Sequence, residues 1–249
     1  MVQIENNNLK AVPPDKDVNN PHNNIKIVLR FRFKKVGRLQ YISHLDLVRT
    51  MNKIIVRSNL PLYYTEGFNP KPKMVFAAPL SIGTESYAEY MDLRLCDRID
   101  PSLAMERINA NMTDEMQIYE AYYPETKFTD MKWLSYSICI STDGACAEMA
   151  SKCEAVLTAD TLEILKNTKS GESIVNIRPL IRSASVSLDG DKLRIECVLS
   201  ADPSSFLNPE YVIKALKEKV GILSNPDLTA ESYSIVRNRA YTQDMTEFR

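Results

Sequence analysis

The segment KIVLRFRFK, residues 26–34, alternates between apolar and cationic side chains with a period of two. Because neighbouring side chains of a β-strand point to opposite faces, this pattern predicts a strand at 25–35 with two unlike faces. Its apolar face carries Ile27, Leu29, Phe31 and Phe33, and its cationic face carries Lys26, Arg30, Arg32 and Lys34. We expect helices to cover the apolar face and the cationic face to stay open.

The periodicity of the following residues predicts two similar halves. The first half contains helices at 44–59 and 101–112, an extended piece at 73–80, and strands at 88–95 and 116–123. After a linker at 125–132, the second half contains strands at 133–142, 192–200 and 231–242, helices at 144–159 and 208–220, and extended residues at 172–189 that end in a hairpin at Asp189-Gly190. Both halves approximate the order β-α-β-β-α-β, which is the ferredoxin-like arrangement. We therefore predict an α+β protein of two tandem ferredoxin-like domains with antiparallel sheets, at 25–125 and 133–249.

Composition restricts where the chain works. Residues 1–24 are rich in Asn, Pro and charge, which predicts a disordered leader and not a signal peptide. No apolar run approaches the ~20 residues that span a bilayer, so we expect no membrane partner. The five cysteines are odd in number and widely spaced, which fits reduced thiols in the cytoplasm.

Motifs for metal, cluster and nucleotide chemistry are missing from the sequence. Cys139, Cys146 and Cys153 recur every seven residues, whereas zinc and iron–sulfur sites usually draw on pairs about two to four residues apart. We therefore assign these cysteines to the core and expect neither a metal nor a cofactor. The seven glycines form no G-x-G-x-x-G or Walker pattern, so the sequence favours a role other than catalysis.

Charge is distributed unevenly along the chain, although its net value is −1. Residues 25–75 contain eleven Lys or Arg and two acids, a formal charge of +9, whereas residues 76–140 have a charge of −6. Three of these cations, Arg49, Lys53 and Arg57, form a row at four-residue intervals on the first predicted helix. The cations of the first strand either contact an anionic ligand or are neutralised by acids such as Asp92. The asymmetry itself indicates an anionic partner at one end of the molecule.

The loop TEGFNPKPKM, residues 65–74, adds an aromatic ring and two lysines to this basic region. Its prolines hold the preceding residues in extended geometry, which makes the loop rigid. Aromatic rings beside cations are the combination that grips single-stranded nucleic acid. Tyr63 and Tyr64 either join this surface or belong to the core. The predicted nucleic-acid site consists of Lys26, Arg30, Arg32, Lys34, Arg49, Lys53, Arg57, Phe68, Lys71 and Lys73.

His44 is the only histidine outside the predicted leader, and it follows a helix-capping sequence. Ser43 and Asp46 form a near-capping box, which explains the sequence SHLD structurally. A histidine at this position could also act as a general base near neutral pH, but the region predicted to fold contains no second histidine to act as the acid. His44 is therefore either a structural residue or a catalytic one.

The motifs S-H-L-D, G-F-N-P-K-P and E-Y-M-D-L occur in this order between residues 43 and 93. With them the chain resembles a bacterial domain family of unknown function that is linked to cobalamin-binding radical-SAM proteins, either as separate proteins or as fusions. VNIRPLI at 175–181 and IVRNRAY at 235–241 extend the resemblance over nearly all of the chain after the leader. The resemblance implies a radical-SAM partner and an accessory role in holding its substrate. The chain has no C-x-x-x-C-x-x-C triplet for the partner's type of cluster, in agreement with that division of labour.

The first half is also similar to the ferredoxin-like endoribonucleases that process CRISPR repeat RNA, which often place a histidine near the first helix, as His44 is placed here. Those enzymes carry a glycine-rich loop near the C-terminus, whereas residues 231–249 contain no glycine. The leading hypothesis is a non-catalytic accessory protein that binds tRNA or rRNA for an RNA-modifying radical-SAM enzyme. The alternatives are a metal-independent endoribonuclease that uses His44, and a protein–protein adaptor that contacts its partner through Glu85, Glu89 and Asp92.

Overall fold

The computed structural model describes residues 27–168, 171–227 and 229–249. In the first half, the elements are β1 (Ile27–Lys35), α1 (His44–Arg57), β2 (Met74–Phe76), β3 (Thr84–Leu95), α2 (Pro101–Asn109) and β4 (Ile118–Tyr122). In the second half, they are β5 (Trp133–Ser141), α3 (Ala147–Thr158), β6 (Glu163–Thr168), β7 (Gly171–Asn176), β8 (Ile181–Asp189), β9 (Lys192–Ser200), α4 (Glu210–Val220) and β10 (Ser232–Tyr241). All predicted helices are confirmed, with ends that differ by a few residues. The predicted leader lies outside the described residues.

Apart from β6 and β7, the strands of both halves lie in one mixed and mostly antiparallel sheet. β1 lies between β4 and β3, β2 pairs with one end of β3, and the other end of β3 pairs in parallel with β10. From β10 the sheet continues through β5 and β9 to β8. The predicted α+β class is confirmed. The structure corrects the expectation of separate sheets, because the parallel pairing of β3 with β10 joins the strands of the two halves.

Helices cover one face of the sheet in the first half. α1 begins after Ser43, whose hydroxyl accepts a hydrogen bond from the Asp46 amide at 3.1 Å, so the predicted helix cap is confirmed. The buried residues of α1 are spaced at helical intervals and form one stripe. This stripe packs with Phe31 and Phe33 of β1 and with α2 in a single hydrophobic cluster. The apolar face of the first strand is therefore buried as predicted.

A second hydrophobic cluster is built mostly from β5, β9, α3 and α4 of the second half, and Ala77, Ala88 and Tyr90 of the first half also belong to it. Cys153 and Cys197 are buried in it, and Cys139 is partly buried. The assignment of Cys146 to the core is wrong, because α3 begins one residue later and leaves Cys146 exposed at its N-terminal cap.

Two hairpins belong to the second half. The predicted hairpin at Asp189-Gly190 is confirmed: Asp189 of β8 pairs with Lys192 of β9, and Gly190 has a φ of 62° that suits glycine in a tight turn. The other hairpin, β6–β7, is a separate two-stranded sheet. Sequence periodicity did not identify β6.

The junction between the halves contains a buried ion pair. Arg237 of β10 lies 3.0 Å from the Glu89 carboxylate of β3, and the two side chains are only 2% and 4% exposed. The Arg237 guanidinium also donates to the carbonyls of Ala78 and Pro79 and to the Tyr136 hydroxyl, at 2.7, 3.3 and 3.2 Å. All its nitrogens thus have acceptors, as a buried guanidinium requires.

Lys35 is buried beside this pair and completes a cluster of two cations and one carboxylate. Burial lowers the pKa of Lys35, while Glu89 opposes that shift and Arg237 adds to it. Burial also raises the pKa of Glu89, and Arg237 opposes the rise. Because each charge depends on another for its stabilisation, the cluster couples β1, β3 and β10.

Arg237→Met should destabilise the protein by about 3–5 kcal/mol, because it leaves the Glu89 carboxylate buried without its strongest partner. The measurement is the free energy of unfolding in urea at neutral pH. Lys152→Met is the control, because it breaks an exposed pair with Glu148 and should cause no measurable loss. Combining Arg237→Met with Glu89→Leu should recover part of the loss. Equal stabilities of Arg237→Met and the control would contradict the expectation.

Candidate nucleic-acid interface

Arg30, the central cation of the first strand, is fully buried. Its guanidinium forms a two-pronged ion pair with Asp92, at 2.7 and 2.9 Å. Two more of its N–H groups donate to the Thr126 hydroxyl and carbonyl, at 2.8 and 3.1 Å. Of the two alternatives for this cation, neutralisation by Asp92 is therefore the one observed. These contacts use four of the five N–H donors of the guanidinium, so at most one is left for a ligand.

Arg32 is also buried, but its hydrogen bonds are incomplete. One terminal nitrogen donates to Glu120 at 3.1 Å and to Glu247 at 2.7 Å. The Arg32 Nε is buried and has no hydrogen-bond partner in the described part of the chain. Its guanidinium carbon also lies 5.7 and 5.2 Å from the ring centroids of Tyr90 and Tyr119.

Lys34 does not extend this pair of arginines. The register of β1 shifts between Arg32 and Phe33 against β4, and between Phe33 and Lys35 against β3. Such irregularities interrupt the strict alternation on which the prediction rested, and Lys34 is half-buried. Lys26 lies outside the described residues.

A segment of the second half covers the cationic face of β1. We call residues 242–249 the strap. After β10 the chain turns back, so that the Phe248 amide donates to the Ala240 carbonyl at 2.9 Å. The Phe248 ring is fully buried against Tyr90, with ring centroids 5.3 Å apart, and the Arg30 guanidinium carbon lies 4.9 Å from the Phe248 centroid. The expectation of an open cationic face is thereby corrected, because the strap and Phe128 lie over it.

We call Arg49, Lys53 and Arg57 the helix row. All three are exposed on α1, as the sequence predicts. Arg49 makes an exposed ion pair with Asp46 at 3.4 Å. Among the described residues, neither Lys53 nor Arg57 makes an ion pair. Over two helical turns, the row extends about 12 Å along the helix.

A proline-containing loop, residues 63–73, projects from the edge of the sheet in the first half; we call it the basic loop. Its two sides are held together by backbone hydrogen bonds from Thr65 to Lys71 and from Lys73 to Tyr63, at 2.8 and 3.0 Å. At its tip the Phe68 ring is fully exposed. Lys71 is exposed, Lys73 is half-buried, Tyr64 is exposed and Tyr63 is half-buried.

The predicted ten-residue site therefore separates into parts. Arg30 and Arg32 lie under the strap, whereas the helix row and the basic loop are exposed. In the ranges that the structure describes, no hydrogen bond, ion pair or ring contact joins the helix row to the basic loop. The exposed residues of the site are Arg49, Lys53, Arg57, Phe68 and Lys71, with Lys34 and Lys73 half-buried.

His44 lies exposed at the first residue of α1. Its ring meets the Phe76 ring edge-on, with centroids 5.7 Å apart. Its imidazole forms no hydrogen bond or ion pair with any residue that the structure describes. A general base is normally oriented by a hydrogen-bonded neighbour, so this geometry supplies no catalytic arrangement around His44.

The carboxylates proposed for a protein partner are bound within the chain. Glu89 pairs with Arg237, and Asp92 pairs with Arg30. Glu85 accepts a hydrogen bond from the Gly37 amide at 2.8 Å. An adaptor surface built on these three residues would have to break these internal contacts.

Metal binding and cysteine chemistry have little support in the described residues. They contain no group of three or more His, Cys, Asp or Glu placed to hold a metal ion. Burial raises the pKa of Cys153 to about 11 and that of Cys197 to about 12, which keeps both sulfurs protonated at neutral pH. None of the described helices combines the length and the apolarity that a bilayer-spanning helix needs.

Sequence reasoning missed Lys35 and the strap. Lys35 follows Lys34 directly in the sequence. Its burial depends on the irregular register of β1, and nothing in the neighbouring residues indicates that irregularity. Phe248 is one aromatic residue in a polar segment, and its contact with Arg30 depends on the pairing of distant strands. Arg30 and Arg32 correctly indicated that this face of β1 is unusual, but the sequence did not show which residues they contact.

Comparisons with solved structures give likenesses of fold only. A Cbf5-Nop10-Gar1 complex aligns with a TM-score of 0.47 and 11% identity, over 85% of this chain and 48% of the other. The archaeal box H/ACA sRNP Nop10-Cbf5 complex aligns with a TM-score of 0.42 and 11% identity, over 84% of this chain and 46% of the other. This chain thus spans about half the length of each of these two chains, and at these TM-scores the likeness says nothing about what it binds.

Comparisons of sequence identify a family. No curated protein matches the chain. A family described as uncharacterized proteins conserved in bacteria, DUF2344, matches residues 28–209. Because this match covers well over half of the sequence, the chain belongs to the DUF2344 family.

Proposed function

We propose that the chain binds single-stranded or looped RNA through the basic loop. The observation that carries the proposal is the position of Phe68, a fully exposed aromatic ring at the tip of a braced loop beside the exposed Lys71. An aromatic ring that is not used for packing offers a stacking platform to any base. The adjacent lysine offers a positive charge to the phosphate.

The geometry of the basic loop favours binding with little loss of conformational freedom. The bridge between Tyr64 and Pro72, with the Thr65 and Lys73 backbone hydrogen bonds, fixes both sides of the loop in the free protein. A loop that is already ordered loses less entropy on binding. The helix row supplies three further exposed cations that can contact phosphates independently of base sequence.

We propose an accessory role in which the bound RNA, a tRNA or rRNA, is presented to a radical-SAM enzyme. This part rests on the resemblance carried by S-H-L-D, G-F-N-P-K-P and E-Y-M-D-L, and the DUF2344 description does not include such a partner. His44 is assigned a packing role against Phe76 in this proposal. The ribonuclease alternative would need a catalytic partner for His44.

We also propose that the halves 25–125 and 133–249 are two ferredoxin-like units fused edge to edge. The strand order is β4-β1-β3-β2 in the first half and β10-β5-β9-β8 in the second. Without the β6–β7 hairpin, each half has four strands. In both halves they lie in the order fourth, first, third and second along the chain, which agrees with a ferredoxin-like arrangement. One hydrophobic cluster lies within the first half, and the other is built mainly from residues of the second half.

Phe68→Ala should weaken binding of a fluorescent single-stranded RNA of about 12 nucleotides by about 1–3 kcal/mol, because it removes the stacking platform. Fluorescence anisotropy at low and moderate salt measures this loss. Ile174→Ala is the matched control, because it also removes an exposed apolar side chain, on β7, and should leave the affinity unchanged.

The charge contribution is tested in the same titration. Lys71→Glu should flatten the dependence of log affinity on log salt by about 0.7, the value for one phosphate contact with a single strand. Lys219→Glu at the end of α4 changes the net charge equally and is the control. Absence of RNA binding by the unaltered protein, or binding insensitive to both Phe68 and Lys71, would contradict the proposal.

The partner is tested separately by co-expressing the tagged chain with a cobalamin-binding radical-SAM protein from the same genome. We expect the two proteins to copurify, and catalytic RNA modification by the pair to fall in the Phe68→Ala variant, in line with its weaker RNA binding. RNA binding without copurification would leave the basic loop as an RNA site and contradict the partner. RNA cleavage by the chain alone that is lost in His44→Ala would establish the ribonuclease alternative.

A further inference from the structure

The face beneath the strap combines cations and aromatic rings on one side of a sheet. Arg30 and Arg32 stand next to each other on this face of β1, flanked by Tyr90 of β3 and by Tyr122 of β4. Phe128 lies 4.4 Å, centroid to guanidinium carbon, from Arg30. The sheet thus carries beneath the strap the same pairing of charge and ring that the basic loop carries in the open.

The strap fills this face with one carboxylate and one ring. Glu247 accepts from Arg32 at 2.7 Å, and the Phe248 ring lies between Tyr90 and Phe128, with centroid distances of 5.3 and 6.3 Å. A nucleotide would offer the same two features, an anionic oxygen and a flat ring. The strap therefore presents to this face the two features by which a phosphate and a base would be bound.

Two buried polar groups show that the strap satisfies this face incompletely. Arg32 is 8% exposed, and its Nε has no hydrogen-bond partner among the described residues. The hydroxyl of Tyr122 is likewise buried without one. A phosphate group has more acceptor oxygens than the single Glu247 contact supplies, so it can accept from the Arg32 Nε and from a terminal nitrogen together.

The strap is attached by hydrogen bonds within its own turn and by contacts with β3, β4 and Thr126. One backbone hydrogen bond from Phe248 to Ala240 and one from Thr242 to Thr246, both 2.9 Å, hold its turn. The Glu247 side chain is 41% exposed, and the ion pair of Arg249 with Glu120 is long, at 3.7 Å. Besides the buried Phe248 ring, a buried hydrogen bond holds the strap, from the Tyr90 hydroxyl to the Phe248 carbonyl at 3.2 Å, and the Thr126 hydroxyl donates to the Arg249 carbonyl. The ion pairs of Glu247 and Arg249 are partly exposed, so water and salt weaken them.

We propose that the strap is an autoinhibitory pseudo-ligand that single-stranded RNA displaces from the Arg32 face. This inference rests on the proposed RNA-binding function and adds a second, covered site to the basic loop. On displacement, the Arg32 guanidinium exchanges the Glu247 carboxylate for a phosphate, and a base stacks where the Phe248 ring now lies. Arg30 keeps its pair with Asp92 and serves as the fixed floor of the site.

The first test compares two variants that each remove one negative charge. Glu247→Gln weakens the hold of the strap on Arg32 and should tighten binding of the single-stranded RNA of about 12 nucleotides by up to about fivefold. Glu218→Gln on α4 removes an exposed carboxylate that is 3.7 Å from Lys214 and far from the strap in sequence. Equal affinities of these two variants would overturn the proposal.

The second test follows the strap itself in the unaltered protein. Amide hydrogen exchange of residues 240–249, measured with and without the RNA, should show faster exchange at Phe248 when RNA is bound, while β5 keeps its protection. Unchanged or slower exchange at Phe248 would overturn the proposal. Release of the strap by a peptide with the sequence of residues 242–249, but not by RNA, would also overturn it and indicate a protein ligand.

These measurements distinguish a failure of the proposed RNA binding from a failure of the proposed strap displacement. If neither the unaltered protein nor Glu247→Gln binds RNA, the proposed function fails and this inference fails with it. If RNA binds and depends on Phe68, while Glu247→Gln matches Glu218→Gln and the strap stays protected, only the strap proposal fails.

Discussion

The buried contact between Arg237 and Glu89 is the interaction on which the arrangement of the whole sheet depends. It ties β10 to β3 where the two halves meet, and through Ala78 and Pro79 it also fixes the chain that enters β3. Buried charges are costly unless they are paired and hydrogen-bonded, so the cluster excludes arrangements in which the halves separate or slide. The strap depends on this geometry, because it can reach Arg30 and Arg32 only when β10 lies beside β3.

The first half of the molecule could largely be predicted from its sequence, because its signals are local. The alternation in β1, the Ser43 cap and the spacing of apolar residues in α1 each follow from neighbouring residues. The Asp189-Gly190 hairpin follows from a two-residue turn in the same way. Features that depend on distant pairing were not predictable, and these include the joining of the halves and the burial of Lys35.

The candidate site shows the same division. The helix row and the basic loop are exposed as the sequence indicated, since short surface segments keep their local character. Arg30 and Arg32 were expected in the open, and they are covered because Glu247 and Phe248 arrive from the opposite end of the chain. Sequence alternation identifies which residues share a face, but it does not identify what lies on that face.

The parallel pairing of Thr84 with Ile235 affects how the chain is made. During synthesis, the first half leaves the ribosome long before β10 exists, so one edge of β3 stays without its final neighbour. An unpaired strand edge is a template for association with other chains. Closing a pairing between such distant residues is also slow, because it brings together segments of high sequence separation. The nascent protein therefore passes through an interval in which that edge is open to association with other chains.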